Sequence, residues 1–416
     1  MSAPAAGLVL ATASLAATIA VALRPGGRLP DWAVSAGAAA LLVALGVEGT
    51  GDARRVLDRF APTLLFLVAL LWLAEGCRRA GLFAAAARWV GRAAARGPDA
   101  QLAAVFALAG STTVLLSLDA TVLLVTPIAL AVATRRGSID RRPLFAVGHL
   151  ANSASLLLPI SNLTNLLAFH ASDLSFVRFG ALMLGPWLAV LAIEWVVLRG
   201  AGARAEPGRP DHDAPSSPEP EPLRRGAVLV LGTTLAALFA AQSVGVEPWV
   251  VALCGAAVMA LVTGMGPRAL AGATQPGFLV YVLGLVVVVD AVSLHGLGDL
   301  VDGLLPTGDG LLELLGAAAL AAVLANLVNN LPATLILLPA AAAAGTPTLL
   351  AVLIGVGVGP NLTFTGSLAT LLWRKQLVAH GVDVPVRTFT RLGLLTVPAG
   401  LVAGVSALAV ALALGL

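Results

Sequence analysis

Apolar residues run through this chain in stretches of about 20 positions, the length that crosses a bilayer core as a helix. Short polar or Gly/Pro breaks divide them. Ten such stretches predict spanning helices near residues 5–23, 31–49, 61–77, 143–169, 179–198, 226–243, 248–265, 278–294, 347–373 and 392–415. Two more, about 101–134 and 311–344, carry polar groups midway: Ser117 and Asp119 in the first, Asn326, Asn329 and Asn330 in the second. Irregular backbone at membrane depth survives only against protein or a water-filled cavity, so both stretches read as re-entrant helical hairpins.

Composition agrees that water is not the main solvent. Of 416 residues, 58% are hydrophobic and 11% charged, and mean hydropathy is +0.94, whereas soluble domains carry about 25% charged residues. A soluble enzyme is excluded, and no GxxxxGK motif is present to drive transport with nucleotide. The formal net charge of +3 reflects cations gathered in cytoplasmic loops, not a nucleic-acid partner. Cys77 and Cys254 sit in or beside apolar runs without CxxC spacing or a nearby His cluster. They read as packing residues, so no metal or cofactor is expected. The run from Gly7 to Leu23 has no basic segment before it and reads as a span rather than a cleaved signal.

The arginines orient these spans. With both termini external and each hairpin returning to its own side, only Arg54, Arg55, Arg59 and Arg178 of the 25 basic residues remain outside. Arg24, Arg28, Arg135, Arg136, Arg204, Arg209 and the others fall inside, the bias of a protein of the bacterial inner membrane. Residues 200–225 are rich in Pro, Ala and acidic residues and too polar to fold into a core. They form a cytoplasmic linker between a first transmembrane repeat, 1–199, and a second, 226–416.

The two parts resemble each other. FAPTLLFLVALLWLAEGCRRAGL (60–82) aligns without a gap on QPGFLVYVLGLVVVVDAVSLHGL (275–297), pairing Glu75 with Asp290 and Gly81 with Gly296. LPISNLTNLL (158–167) likewise overlies TFTGSLATLL (363–372), setting Asn162 against Ser367. On the topology above the two parts run in opposite directions. The expected fold is therefore an all-α polytopic membrane protein of two inverted repeats, each with five spanning helices and one re-entrant hairpin, with broken helices at the midplane.

Broken helices of this kind offer helix N-termini, free carbonyls and amide side chains to a midplane substrate. The first-half candidates are Asp119 and Thr121 at the hairpin tip, with Ser161, Asn162, Thr164 and Asn165 in the break. Those of the second half are Asn326, Asn329 and Asn330 at the tip, with Asn361, Thr363, Thr365, Gly366, Ser367 and Thr370 in the break. The alternative is that such residues cap half-helices and glue spans together without touching substrate. Carboxylates in a membrane are costly unless paired or functional, so Glu75, Asp119, Glu194 and Asp290 each need an account. Asp119, Glu75 and Asp290 are candidates for proton coupling. His149 is either a relay near neutral pH or a hydrogen-bonded core histidine. Glu194, within a turn or so of Arg199, is expected to snorkel toward the interface.

ANLVNNLPATLILLPA (325–340) followed by VGPNLTFTGSLATLLWR (358–374) closely resembles the arsenite/antimonite efflux permeases, within the ion transporter superfamily that also holds divalent-anion symporters and some sodium/proton antiporters. SLDATVLLVTPIAL (117–130) and LLLPISNLTNLL (156–167) agree, and the order of spans fits nearly the whole chain. The resemblance implies export of trivalent arsenite or antimonite in exchange for protons. It also implies an optional ATPase subunit as partner and leaves oligomeric state open, a homodimer included. The implied site is Asp119, Asn162, Thr164, Asn165, Asn329, Asn330, Thr365, Gly366 and Ser367. Where the permeases carry Asn before and Gly after the hairpin Asp, this chain has Leu118 and Ala120.

Arsenite at pH 7 is a neutral trihydroxide, so its site wants hydroxyl and amide partners rather than fixed cations. Both polar breaks lack Lys and Arg, with Arg374 just beyond the second. A dicarboxylate or inorganic anion held by helix N-termini, with sodium or protons, is the other transport reading, and a sodium/proton antiporter stands beside it. A channel or structural membrane protein predicts no symmetric pair of broken helices.

Overall fold

In a computed structural model of the protein, the described residues are 3–22, 30–133, 138–200, 206–207, 223–241, 245–297, 301, 303–306 and 308–415. They form eighteen α-helices. Helix suits this solvent because it satisfies its backbone internally, which lipid cannot do for it.

The first half comprises α1 (Ala3–Ala22), α2 (Asp31–Ala44), α3 (Thr50–Arg79), α4 (Leu82–Ala94), the pair α5 (Pro98–Leu115) and α6 (Leu118–Ala133), α7 (Arg142–Ser153), α8 (Leu163–His170) and α9 (Phe176–Gly200). The second comprises α10 (Arg225–Ala241), α11 (Pro248–Thr263), α12 (Pro267–Ala273), α13 (Pro276–Val292), the pair α14 (Leu311–Val328) and α15 (Asn330–Ala344), α16 (Thr346–Val358), α17 (Leu368–Ala379) and α18 (Val386–Ala413). Each half thus runs through two helices, a long helix, a helical hairpin, a broken helix and a long final helix, with a shorter helix after the long one in the first half (α4) and before it in the second (α12). A two-residue antiparallel ladder joins Ser138–Ile139 to Glu206–Pro207.

Both stretches expected as hairpins are helix pairs interrupted at their polar groups, and the spans near 143–169 and 347–373 are each two half-helices. Other boundaries differ from the sequence reading. The third helix begins at Thr50, well before residue 61. Residues 82–94, read as loop, form α4, because the segment is rich in Ala and gathers its apolar residues on one face, with Arg88 and Arg92 on the other. Residues 201–205 and 208–222 of the expected linker lie outside the described residues, as do Arg24, Arg28, Arg135, Arg136, Arg204 and Arg209.

The halves are interleaved. α2 packs on α13 and α3 on α11, so the long helix before each hairpin, α3 or α13, lies against a helix of the other half, and α9 lies along α18. A methyl on Gly284 of α13 would sit 2.5 Å from the Ser35 backbone of α2, which is how closely those helices approach. Among the described residues, five helices are long and apolar enough to cross a membrane, Thr50–Arg79 and Val386–Ala413 included. Outward faces carry bare apolar side chains such as Leu261 (81% exposed) and Leu312 (79%). Helices of spanning length with bare apolar outward faces suit a bilayer, where those faces meet lipid.

Candidate functional site

The first hairpin turns at Leu116 and Ser117, where the Ser117 hydroxyl accepts the Ala120 N–H at 3.1 Å and starts α6. Asp119 lies in the first turn of α6. Thr121 turns away from the tip to Thr113, hydroxyl to hydroxyl at 2.7 Å.

The first break follows α7. Two short 3₁₀ turns, Ala154–Leu156 and Pro159–Ser161, lead to Asn162, whose backbone is extended and whose side chain accepts the Thr164 N–H at 3.3 Å to cap α8. Asn165 staples the break from within: its amide donates to the Ser155 carbonyl at 2.6 Å and the Leu158 carbonyl at 3.0 Å. Ser161 donates to the Val114 carbonyl at 3.0 Å, tying break to hairpin.

The second half reaches the same result by other bonds. Its hairpin turns on Asn329, held at φ 79, a left-handed value uncommon for a residue with a side chain. The Asn329 amide donates to the Thr365 carbonyl at 3.2 Å, and the Asn330 N–H donates to the Gly366 carbonyl at 2.9 Å. Asn326 donates to the Gly359 carbonyl at 2.8 Å and accepts from the Thr363 hydroxyl at 2.7 Å. A methyl on Gly366 would stand 2.5 Å from the Pro360 Cα, so the backbone there has no room for a side chain. Ser367 then caps α17, accepting the Thr370 N–H at 3.1 Å.

Both tips and both breaks meet at one cavity of about 60 Å³, lined by residues that include Ser117, Asp119, Asn162, Thr164, Asn330 and Ser367, with Leu67, Ile160 and Phe278 among the apolar walls. The helices that start at this cavity are α6, α8, α15 and α17. Four N-termini therefore aim backbone N–H groups and partial positive charge at one space. Among the described residues, Asp119 is its one charged side chain, and no Lys, Arg or His lines it.

The other expected site residues stand back from this wall. Asn165, Asn329, Thr365 and Gly366 shape the breaks. Glu75 is paired with Arg78 and Arg79 at 2.7 Å near the end of α3. Asp290 lies in a second cavity of about 380 Å³ with Arg59, Thr63 and His170.

His149 is fully buried and bonded through Nδ1 to Glu194 at 3.0 Å. That corrects the snorkelling expected of Glu194, which is 1% exposed. Besides His149 it accepts from Ser153 at 2.9 Å and Asn361 at 3.0 Å. Buried carboxylates persist where they are hydrogen-bonded, which this one is on both oxygens. Sequence reasoning also passed over Ser117, visible only as a hairpin interruption, and Asn152, which donates to both Asn361 and Thr370 at 3.0 Å. An amide in the middle of an apolar helix was the available signal for Asn152.

The family model described as citrate transporter matches residues 11–367. The arsenical pump membrane protein of Yersinia enterocolitica is 27% identical over 93% of this chain and 95% of its own. That of Escherichia coli (strain K12) is 26% identical with the same coverage. An uncharacterized transporter of Mycobacterium tuberculosis (strain ATCC 25618 / H37Rv) is 24% identical over 79% of this chain and 81% of its own. Among solved structures, the Alcanivorax borkumensis YdaH transporter superposes with a TM-score of 0.56 over 87% of this chain and 88% of its own; at 16% identity the likeness is one of fold.

Proposed function

The chain belongs to the citrate transporter family, and from that membership we propose that it is a secondary transporter exporting arsenite or antimonite across the bacterial plasma membrane in exchange for protons. The small uncharged-donor cavity carries this reading. Apart from Asp119, its polar lining consists of hydroxyls, amides and helix N–H groups, the partners a neutral trihydroxide needs. Its roughly 60 Å³ holds on the order of five waters at about 10–15 Å³ each, room for a compact inorganic species and much less than a tricarboxylate requires. The relatives named arsenical pump membrane proteins support the same substrate.

Asp119, the cavity's one acid, is the coupling group: a carboxylate among four helix N-termini can exchange its proton as the substrate's hydroxyls arrive and leave. In this reading the two halves are inverted repeats with external termini and re-entrant hairpins, and alternating access moves one set of helices against the other around the fixed tips.

Expression in an arsenic-sensitive bacterium tests the substrate. Tolerance to arsenite and antimonite should rise, tolerance to arsenate should not, and sodium should be dispensable. The four N-termini favour a second reading, symport of a dicarboxylate or inorganic anion with sodium or protons. That reading predicts sodium- or proton-dependent uptake of a dicarboxylate such as succinate, or of an inorganic oxyanion, and no gain in arsenite tolerance.

A further inference from the structure

The close approach of α2 to α13 brings a second acid to Asp290. Near the start of both helices Trp32 lies against Gly277, where a methyl would meet its ring at 3.1 Å, and further along the Ser35 backbone lies against Gly284. The two helices therefore run the same way. In the turn that ends α2, the Val47 and Glu48 N–H groups donate to the Leu42 carbonyl at 3.0 and 3.2 Å. The Glu48 side chain is folded inward there, 1% exposed, and neither of its oxygens finds a donor among the described residues. What it meets is the Asp290 carboxyl, which when ionised is an acceptor as well.

Two acceptors facing each other need something positive between them, because carboxylates in contact do not both ionise and a buried charge without a partner neutralises. The nearby cations do not fill that place. Arg55 is bonded to Asp52, and Arg54 pairs with Asp58 at 3.7 Å. Arg59, exposed in the same cavity wall as Asp290, offsets one of the two carboxylates. One positive charge is still missing.

The other elements packed here do not supply it. His170, at the end of α8, places Nδ1 2.9 Å from the Leu166 carbonyl and 3.2 Å from the Thr63 hydroxyl. His295, beyond α13, places Nδ1 2.8 Å from the Ala291 carbonyl. Asp31 is at the far end of α2, and Asp173 and Arg178 are exposed. Neither α1 nor α15 carries a titratable side chain.

We propose that Glu48 and Asp290 hold one proton between them and are the port through which protons enter the transporter from outside. The proton comes from hydronium in the cavity of about 380 Å³ that Asp290 lines: an O–H bond forms at the pair and one breaks in hydronium, leaving water. This cavity and the smaller one share the walls of α3, α8, α13 and α15. Thr63 and Leu335 of the larger are one helical turn from Leu67 and Leu331 of the smaller. A single apolar layer thus separates the port from Asp119. When that layer parts and water joins the two spaces, the O–H bond at the pair breaks and one forms at the Asp119 carboxylate.

The use of the port in transport rests on the reading of arsenite–proton exchange with Arg54, Arg55 and Arg59 external; the shared proton rests on neither, so the test has two arms. The first is infrared spectroscopy of the purified full chain in sodium-free liposomes at about pH 7, well above the ordinary carboxyl range. A carboxylic acid C=O band should be present, lost in Glu48→Gln, shifted in Asp290→Asn and kept in Asp119→Asn. Absence of the band, or a band unmoved in either pair variant, overturns the shared proton. A band that added sodium chloride removes overturns it as well, because the cation between the acids is then sodium. The second arm is exchange of arsenite for protons in right-side-out vesicles, with the outer pH varied at fixed inner pH. Glu48→Gln should need about tenfold more external proton for half-maximal exchange, a shift of about one pH unit, with the dependence on inner pH unchanged. A wild-type dependence on outer pH overturns the port, and an equal shift on the inner side overturns its external placement. If wild-type vesicles exchange no arsenite, the transport reading fails and the spectra decide the proton site alone.

Discussion

Asn162 and Ser367 occupy the same post in the two halves. Each has extended backbone, at φ −156 and −146, each lends its side-chain oxygen to the first turn of the helix that resumes after a break, and each faces the same cavity. Replacing either by Ala removes a cap worth about 0.5–2 kcal/mol together with a polar group at the wall. Thermal unfolding in detergent should fall for each variant. Efflux should weaken by a modest factor of about 2–10, the loss expected for one net hydrogen bond. Wild-type efflux in both variants would remove these caps from the site.

Asp119→Asn keeps the shape of the side chain but cannot cycle a proton. The variant should fold with a wild-type unfolding profile and lose transport driven by an imposed pH gradient in vesicles. Undiminished gradient-driven transport would take Asp119 out of the mechanism.

Glu75→Gln should behave differently. Its partners Arg78 and Arg79 are 50% and 37% exposed, and pairs so open to solvent contribute at most about 1 kcal/mol. Efflux and its pH dependence should match wild type; loss of coupling in this variant would move the proton path to the end of α3.

Gly366→Ala forces a methyl to within 2.5 Å of the Pro360 Cα, where the neighbour is backbone and cannot swing aside. Overpacking of this kind costs about 1–3 kcal/mol and should displace the Asn330–Gly366 backbone bond that joins hairpin to break. Asn329→Gly, by contrast, relieves a left-handed residue but gives up the amide bond to the Thr365 carbonyl, so the two effects offset and it should unfold later than Gly366→Ala. A calorimetric scan of both variants checks the pair, and equal unfolding temperatures would show that the junction tolerates a side chain.

The hairpins and breaks were legible because a polar residue inside an apolar run has few explanations: Ser117 and Asp119, Asn329 and Asn330, and the PISNLTN and GPNLTFTGS segments all mark interruptions of helix. The alignment that set Asn162 against Ser367 matched two N-caps. Helix α4 was not legible, since its arginines resembled loop charges when counted for topology. Glu194 was misread for a different reason. Arg199 is close in sequence, whereas its actual partners His149 and Asn361 are 45 and 167 positions away, and no local pattern reports a contact of that range. The convergence of four helix N-termini on one cavity likewise belongs to tertiary structure, although each terminus was marked locally.

The distance between Glu194 and Asn361 also sets an order of events during synthesis. The carboxylate emerges 167 residues before the amide that will bind it, roughly 8–30 s at ordinary translation rates of about 5–20 residues per second. Through that interval a half-made chain holds an acidic group at membrane depth with only His149 and Ser153 to satisfy it. Its long helix α3 meanwhile waits for α11, and α2 for α13. A chain stopped between the halves therefore leaves Glu194 without its Asn361 donor, and α2 and α3 without the second-half helices that cover them.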